Sequence, residues 1–173
     1  EMLGFCQREE VGIAGARLLY ADDTIQHAGV VVGLGGVAAH VLCKLPRNAE
    51  GYMGRLRCVQ EISAVTAACM MVKTSVFKAV GGFDEELKVA FNDIDLCMKV
   101  RKYGVKIVFT PYAELYHYES KSRGLEDTPE KQFRFDKEVK RFQEKWAQQL
   151  EMGDPYYSPN LSVTEGDCSL RED

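Results

Sequence analysis

The 173-residue chain carries 22 Lys+Arg against 26 Asp+Glu, a formal net charge of -4 with a pI near 5.5. That balance, with no concentrated basic stripe, argues against nucleic acid as the main ligand. No apolar run approaches the roughly 18 residues that a membrane span requires.

Six cysteines (Cys6, Cys43, Cys58, Cys69, Cys97, Cys168) are scattered singly among mostly apolar neighbours, with no C-x-x-C pair. Such spacing reads as buried reduced thiols in a cytosolic protein rather than disulfides or a zinc site. There is room for one domain with a real core, or for a piece of a larger one. Glu1 to Cys6 reads as helix interior without initiator Met or cap, and no secretory signal pattern opens the chain. The expectation is therefore an excised fragment.

In chain order, 1–10 predicts a short helix ending in a polar turn. Val11 to Tyr20 (VGIAGARLLY) predicts a buried strand. Asp22-Asp23-Thr24 is a turn, and Ile25 to Val32 returns as a second strand of a hairpin. Gly33-Leu34-Gly35-Gly36 resembles a phosphate loop only superficially, because no Lys-Ser/Thr follows. Residues 33–60 then predict a mobile loop carrying His40, Arg47, Arg55 and Arg57. Glu61 to Lys73 (EISAVTAACMMVK) predicts a central apolar strand, and Thr74 to Ala79 a short helix closed by Gly81-Gly82. A second helix is expected from about Asp93 to Tyr103, stopped by Gly104. Val105 to Phe109 is a strand broken at Thr110-Pro111 and resumed from Tyr112 to Tyr118. Residues 119–127 form a polar loop with Ser120 and Arg123. Thr128-Pro129 starts a long helix. Its stripe of Phe135, Val139, Phe142, Trp146 and Leu150 faces the core. The tail, 151–173, is irregular and wraps the surface of a domain spanning 1–150. Strands alternating with helices indicate an α/β protein with a mixed sheet flanked by helices.

Gly81-Gly82-Phe83-Asp84-Glu85, followed by Asn92-Asp93-Ile94-Asp95-Leu96, places two carboxylates at the start of a helix. Unpaired N–H groups and the positive dipole end keep such acids ionised, as a general base must be. The plain alternative is a helix cap. Asp95 lies about 200° around the helix from Asp93, so the two do not share a face. An Asp95–Lys99 surface pair is its simplest reading.

The run Val80 to Glu85, then Asn92 to Leu96, then Thr110-Pro111-Tyr112-Ala113-Glu114-Leu115-Tyr116-His117, closely resembles family 2 glycosyltransferases. These are inverting enzymes with a GT-A fold that use nucleotide-diphosphate sugars. Gly15 to Tyr20 and Gln26-His27-Ala28-Gly29 look like bacterial members akin to rhamnosyl- and other cell-surface transferases. Asp154 to Leu161 is similar to how those chains end. The resemblance covers nearly the whole chain and implies the C-terminal, acceptor-side part of the fold. By it, Asp93 is the catalytic base, although Asn92 replaces the acid that precedes the base in the family. Asn92 and His40 lie on the acceptor side. His117 ligates a divalent metal (Mn or Mg) bridging the donor diphosphate, and Ser120 and Arg123 contact that diphosphate.

For His117 the alternative is a hydrogen-bonded strand-end histidine, and for Arg123 an exposed loop arginine. His27 reads as structural. Tyr112, Trp146 and Tyr156 either stack on sugar or pack in the core.

The resemblance further implies a nucleotide-diphosphate sugar donor and a saccharide or lipid-linked acceptor. Localisation would be cytoplasmic, at or near the inner face of the membrane. Because the nucleotide-binding half with its Asp-x-Asp motif is missing, the chain alone should be inactive, and an exposed sheet edge could support a homodimer. Two other functions stay open: a non-catalytic carbohydrate-binding or scaffolding module, and a metal-dependent hydrolase using Asp93, Asp95 and His117.

Overall fold

A computed structural model describes residues 1–118 and 128–172. A mixed sheet is flanked by helices. Its middle is β1 (Val11–Leu19), whose nine residues are nearly all buried, as expected of a strand covered on both faces. Parallel to it runs β7 (Lys106–Tyr116), while β2 (Ile25–His27) and β6 (Met70–Val72) pair antiparallel with opposite halves of its other edge. The short α1 (Met2–Cys6) precedes β1.

The helices α2 (Thr74–Ala79), α3 (Asn92–Lys102) and α4 (Pro129–Lys145) follow the expected order, but the long helix expected to run through Leu150 breaks at Trp146 and its end forms a separate helix, α5 (Ala147–Met152). Thr128 caps α4 as its sequence promised, accepting from Lys131 N at 3.4 Å with Pro129 in the first turn. Of the α4 stripe, Phe142 and Trp146 are buried, but Phe135 is 40% exposed.

Several elements differ from expectation. The second strand breaks at Gly29 (φ 108), so β3 (Val30–Val32) leaves the main sheet and pairs with β4 (Ala38–His40). The stretch 33–60 is consequently not one long loop. It contains β4, two 3-10 turns and the first residue of β5 (Gln60–Glu61). The apolar run 61–73 is not a central strand. It crosses the sheet face, with Val65 packed so closely on Gly15 that a Cβ there would sit 2.4 Å from a Val65 methyl. The run then makes a 3-10 turn capped by Thr66, whose side chain accepts from Ala68 N, before ending as edge strand β6.

Thr110-Pro111 does not break β7. The register jumps from Ala16↔Thr110 to Arg17↔Glu114, and this bulge houses the proline that cannot donate to a ladder. Tyr103, the C-terminal cap of α3, is 57% exposed. The irregular tail begins after α5 and packs Tyr157, Leu161 and Cys168 into the core. Asp154 anchors it by accepting from Val32 N, Ser63 Oγ and Tyr156 N. Among the described residues no helix is long and apolar enough to cross a membrane.

Candidate active site

The site is built at the N-terminus of α3. Phe91, just before it, adopts a left-handed backbone (φ 61), costly for a bulky residue and sustained only by its surroundings. Those surroundings come from α4. Phe91 packs on Phe135 and Phe142, with ring centroids 5.7 and 5.4 Å away. The buried Glu138 carboxylate accepts from Lys88 N (3.1 Å) and Ala90 N (2.7 Å). The chain is thus fixed on both sides of the turn that delivers Asp93.

Asp93 is half-buried. Its Oδ2 accepts from Ala67 N at 2.9 Å and its Oδ1 from Ile94 N at 2.9 Å. Each carboxylate oxygen keeps further lone-pair capacity, so the group is oriented but still able to take a proton. The Ala67 contact docks it against the 66–69 turn.

Asp95 points elsewhere, as the helical angle required. It is fully buried, accepting from Trp146 Nε1 at 2.9 Å, with Lys145 at 2.7 Å and Lys99 at 3.3 Å. The Lys99 pair exists, but as a core contact rather than the expected surface one. Lys145 also reaches Asp84, which receives Arg141 as well. Burial opposes ionisation of Asp84, yet Lys145, the Glu86 backbone N–H and Arg141 hold its pKa at about 2. The acidic patch after Gly81-Gly82 is therefore a clasp onto α4.

Beyond the 66–69 turn lies a cavity of about 140 Å³ lined by Tyr20, Gln26, His40, Cys43, Thr66, Ala68 and His117. Gln26, 6% exposed, grips His117 twice: its Nε2 donates to the His117 carbonyl (3.2 Å), and its Oε1 meets His117 Nδ1 at 2.8 Å. Because an amide oxygen only accepts, His117 carries its proton on Nδ1, leaving Nε2 as an acceptor. His40, which a loop was expected to carry, sits instead on β4. Its Nδ1 lies 2.9 Å from Nδ1 of His27, and His27 Nε2 accepts from Thr66 N at 3.4 Å. His27 is completely buried, and burial followed by the neighbouring His40 drives its pKa well below the usual value near 6.5.

The fold therefore brings His40, His117 and the turn holding Asp93 to one cavity. Asn92 occupies the first turn of α3, half-buried. Ser120 and Arg123 lie outside the described residues. Of the aromatics, Trp146 is core, Tyr156 donates to Glu61 (2.6 Å), and Tyr112 is 69% exposed rather than packed. Sequence reasoning missed Gln26 and Thr66, whose roles depend on contacts 91 and 39 residues away.

With Nδ1 held by a buried amide, His117 has the orientation of a metal-ligating histidine. It fits as a single ligand. No group of three or more His, Cys, Asp or Glu able to hold an ion occurs among the described residues. That finding and the burial of Asp95 remove the expected hydrolase trio of Asp93, Asp95 and His117.

No family model matches the chain. It is 54% identical over 171 residues, 98% of its length, to the uncharacterized protein y4gI of Sinorhizobium fredii, of which this covers 19%. It is 37% identical over 172 residues, 99% of its length, to the O-antigen biosynthesis protein RfbC of Myxococcus xanthus, covering 13% of that protein. A shorter match, 37% over 60 residues, is to N-acetylglucosaminyl-diphospho-decaprenol L-rhamnosyltransferase of Mycobacterium tuberculosis, covering 35% of this chain and 20% of that one. The chain thus spans less than a fifth of each relative it matches end to end, and it is similar along its whole length to a segment of a protein named for O-antigen biosynthesis.

Proposed function

We propose that this chain forms the acceptor side of an inverting glycosyltransferase of family 2 type, acting in cell-surface polysaccharide synthesis. The observation that carries the reading is Asp93, a half-exposed carboxylate oriented by two backbone N–H groups against the turn that walls the His117 cavity. The names of the relatives, O-antigen biosynthesis and rhamnosyl transfer, agree with it.

In this reading the donor is a nucleotide-diphosphate sugar and the acceptor a saccharide or lipid-linked hydroxyl. Asp93 takes the acceptor's O–H proton as its oxygen bonds to the anomeric carbon. The leaving nucleoside diphosphate departs from the opposite face with the electron pair of its C–O bond. Asn92 and His40 hold the acceptor. His117 would offer Nε2 to a divalent metal, Mn or Mg, which when bound would neutralise charge on the diphosphate. Ser120 and Arg123 follow closely enough in sequence to contact that diphosphate. With a lipid-linked acceptor the reaction would take place on the cytoplasmic side, at the inner face of the membrane.

The test is Asp93→Asn in the complete protein. Asparagine keeps an acceptor oxygen for the Ala67 N–H but cannot take the proton. Sugar transfer should fall about 10²- to 10⁴-fold, while the acceptor lost to Ile94 N–H should cost about 1 kcal/mol of stability. Undiminished transfer would remove Asp93 as base. A complete protein without transferase activity would favour the second reading, a carbohydrate-binding module.

A further inference from the structure

Two histidines share a hydrogen bond beside the cavity, and the contacts around them determine which nitrogen carries each proton. Thr66 N–H donates to His27 Nε2, so that nitrogen is an acceptor. A neutral imidazole then has its proton on Nδ1. His27 Nδ1 faces His40 Nδ1 at 2.9 Å, with the rings edge-on at 79°. His27 must donate there, His40 Nδ1 must accept, and the proton of His40 resides on Nε2.

The buried state of His27 supports its neutrality. It is 0% exposed, sits between β1 and the 62–66 crossing, and turns a ring edge to Phe109 at 6.4 Å. Desolvation and the adjacent imidazole both disfavour its charged form.

We propose that His27 is a positioning residue that locks His40 into the Nε2–H tautomer, so that His40 meets the cavity it lines with His117 as a donor and not as an acceptor. The inference rests on the acceptor-side reading for its ligand, but the proton arrangement stands apart from that reading. It divides labour within the cavity: His117 presents an acceptor nitrogen through Gln26, whereas His40 presents a donor through His27. Two histidines in one small cavity are thereby made chemically unlike by their buried partners. A donor orients a hydroxyl through its oxygen and leaves the hydroxyl proton free for a base.

The experiment is imidazole ¹⁵N NMR on the 173-residue chain, with a ¹⁵N–¹⁵N correlation read across the hydrogen bond. In the wild type, His27 should show Nδ1–H, the minor form of free histidine. A cross-bond coupling should join the two Nδ1 atoms, and His40 should show Nε2–H. In His27→Leu the Nδ1–H fraction of His40 should rise severalfold. His27→Asn, which keeps an N–H donor near the Nδ1 position, should restore the wild-type pattern. An Nε2–H form of His27, an Nδ1–H form of His40, or an unchanged His40 in folded His27→Leu would each overturn the proposal. If His27→Leu does not fold, the wild-type spectrum alone decides it. Loss of sugar-transfer activity tests the acceptor-side reading and leaves this spectrum untouched.

Discussion

Lys145 at the end of α4 stands 2.7 Å from Asp95 Oδ1, inside the helix that also delivers Asp93. Asp95 has no solvent exposure, so its charge depends on Lys145, Lys99 and the Trp146 indole. Removing one partner of a buried carboxylate leaves charge poorly compensated. Lys145→Met should therefore cost about 2 kcal/mol by urea unfolding, part of the deficit being covered by the two remaining partners. Lys140→Met, which breaks a pair 79% and 68% exposed, should cost less than about 0.5 kcal/mol.

The same lysine sets an acid limit. Asp84 ionises at about 2 in the fold against an ordinary value of 3.8, so its contribution is complete above pH 4 and is lost as pH falls from 4 towards 2. Stability measured across that window should drop by about 1–2 kcal/mol from this residue. In Asp84→Asn that portion of the decline should vanish.

How much of this was legible beforehand depends on the range of each contact. The order of helices, the Thr128 cap and the opposite faces of Asp93 and Asp95 follow from local chemistry and helical angle, and the structure has them. The run 61–73 misled because burial on a sheet face and burial within a sheet give the same apolar pattern; Gly15 opposite Val65 is what distinguishes them. Pro111 misled because a bulge can absorb a proline inside a continuing strand. Gln26 and Thr66 carried no local signal, since a buried amide or a backbone N–H becomes informative only once its distant partner is known.

Gly15 supplies a direct check on that crossing. Gly15→Ala would push a methyl to 2.4 Å from Val65 Cγ1 and should destabilise by about 1–3 kcal/mol. Val65→Ala alone opens a cavity at a residue with 0% exposure. Together the two changes should cost less than their sum, a coupling read from a double-mutant cycle by urea unfolding.

His27 gives a second pH dependence, with its own window. Its folded pKa is depressed, so below about 6.5 the unfolded chain takes a proton that the folded one refuses. Its contribution is complete above that pH and falls on acidification by up to about 1.4 kcal/mol per pH unit. His27→Asn should flatten the stability curve between pH 6.5 and 5, even if it lowers stability at pH 8.

Gln26 is the last residue whose role can be separated by experiment. It holds His117 at the backbone carbonyl and at Nδ1, and it is itself 6% exposed. Gln26→Leu keeps similar volume but leaves the Nδ1–H and the carbonyl without that partner, which should cost about 1–3 kcal/mol. If His117 holds a divalent metal as proposed, the metal concentration for half-maximal sugar transfer by the complete protein should rise about 10- to 100-fold, because the orientation of that histidine is lost. Gln26→Glu retains an acceptor for Nδ1–H but not the donor to the carbonyl, so it should recover most of the metal response while staying less stable than wild type. Equal metal response in all three proteins would show that His117 does not act through a ligated ion, and would return it to the role of a strand-end hydrogen-bond partner.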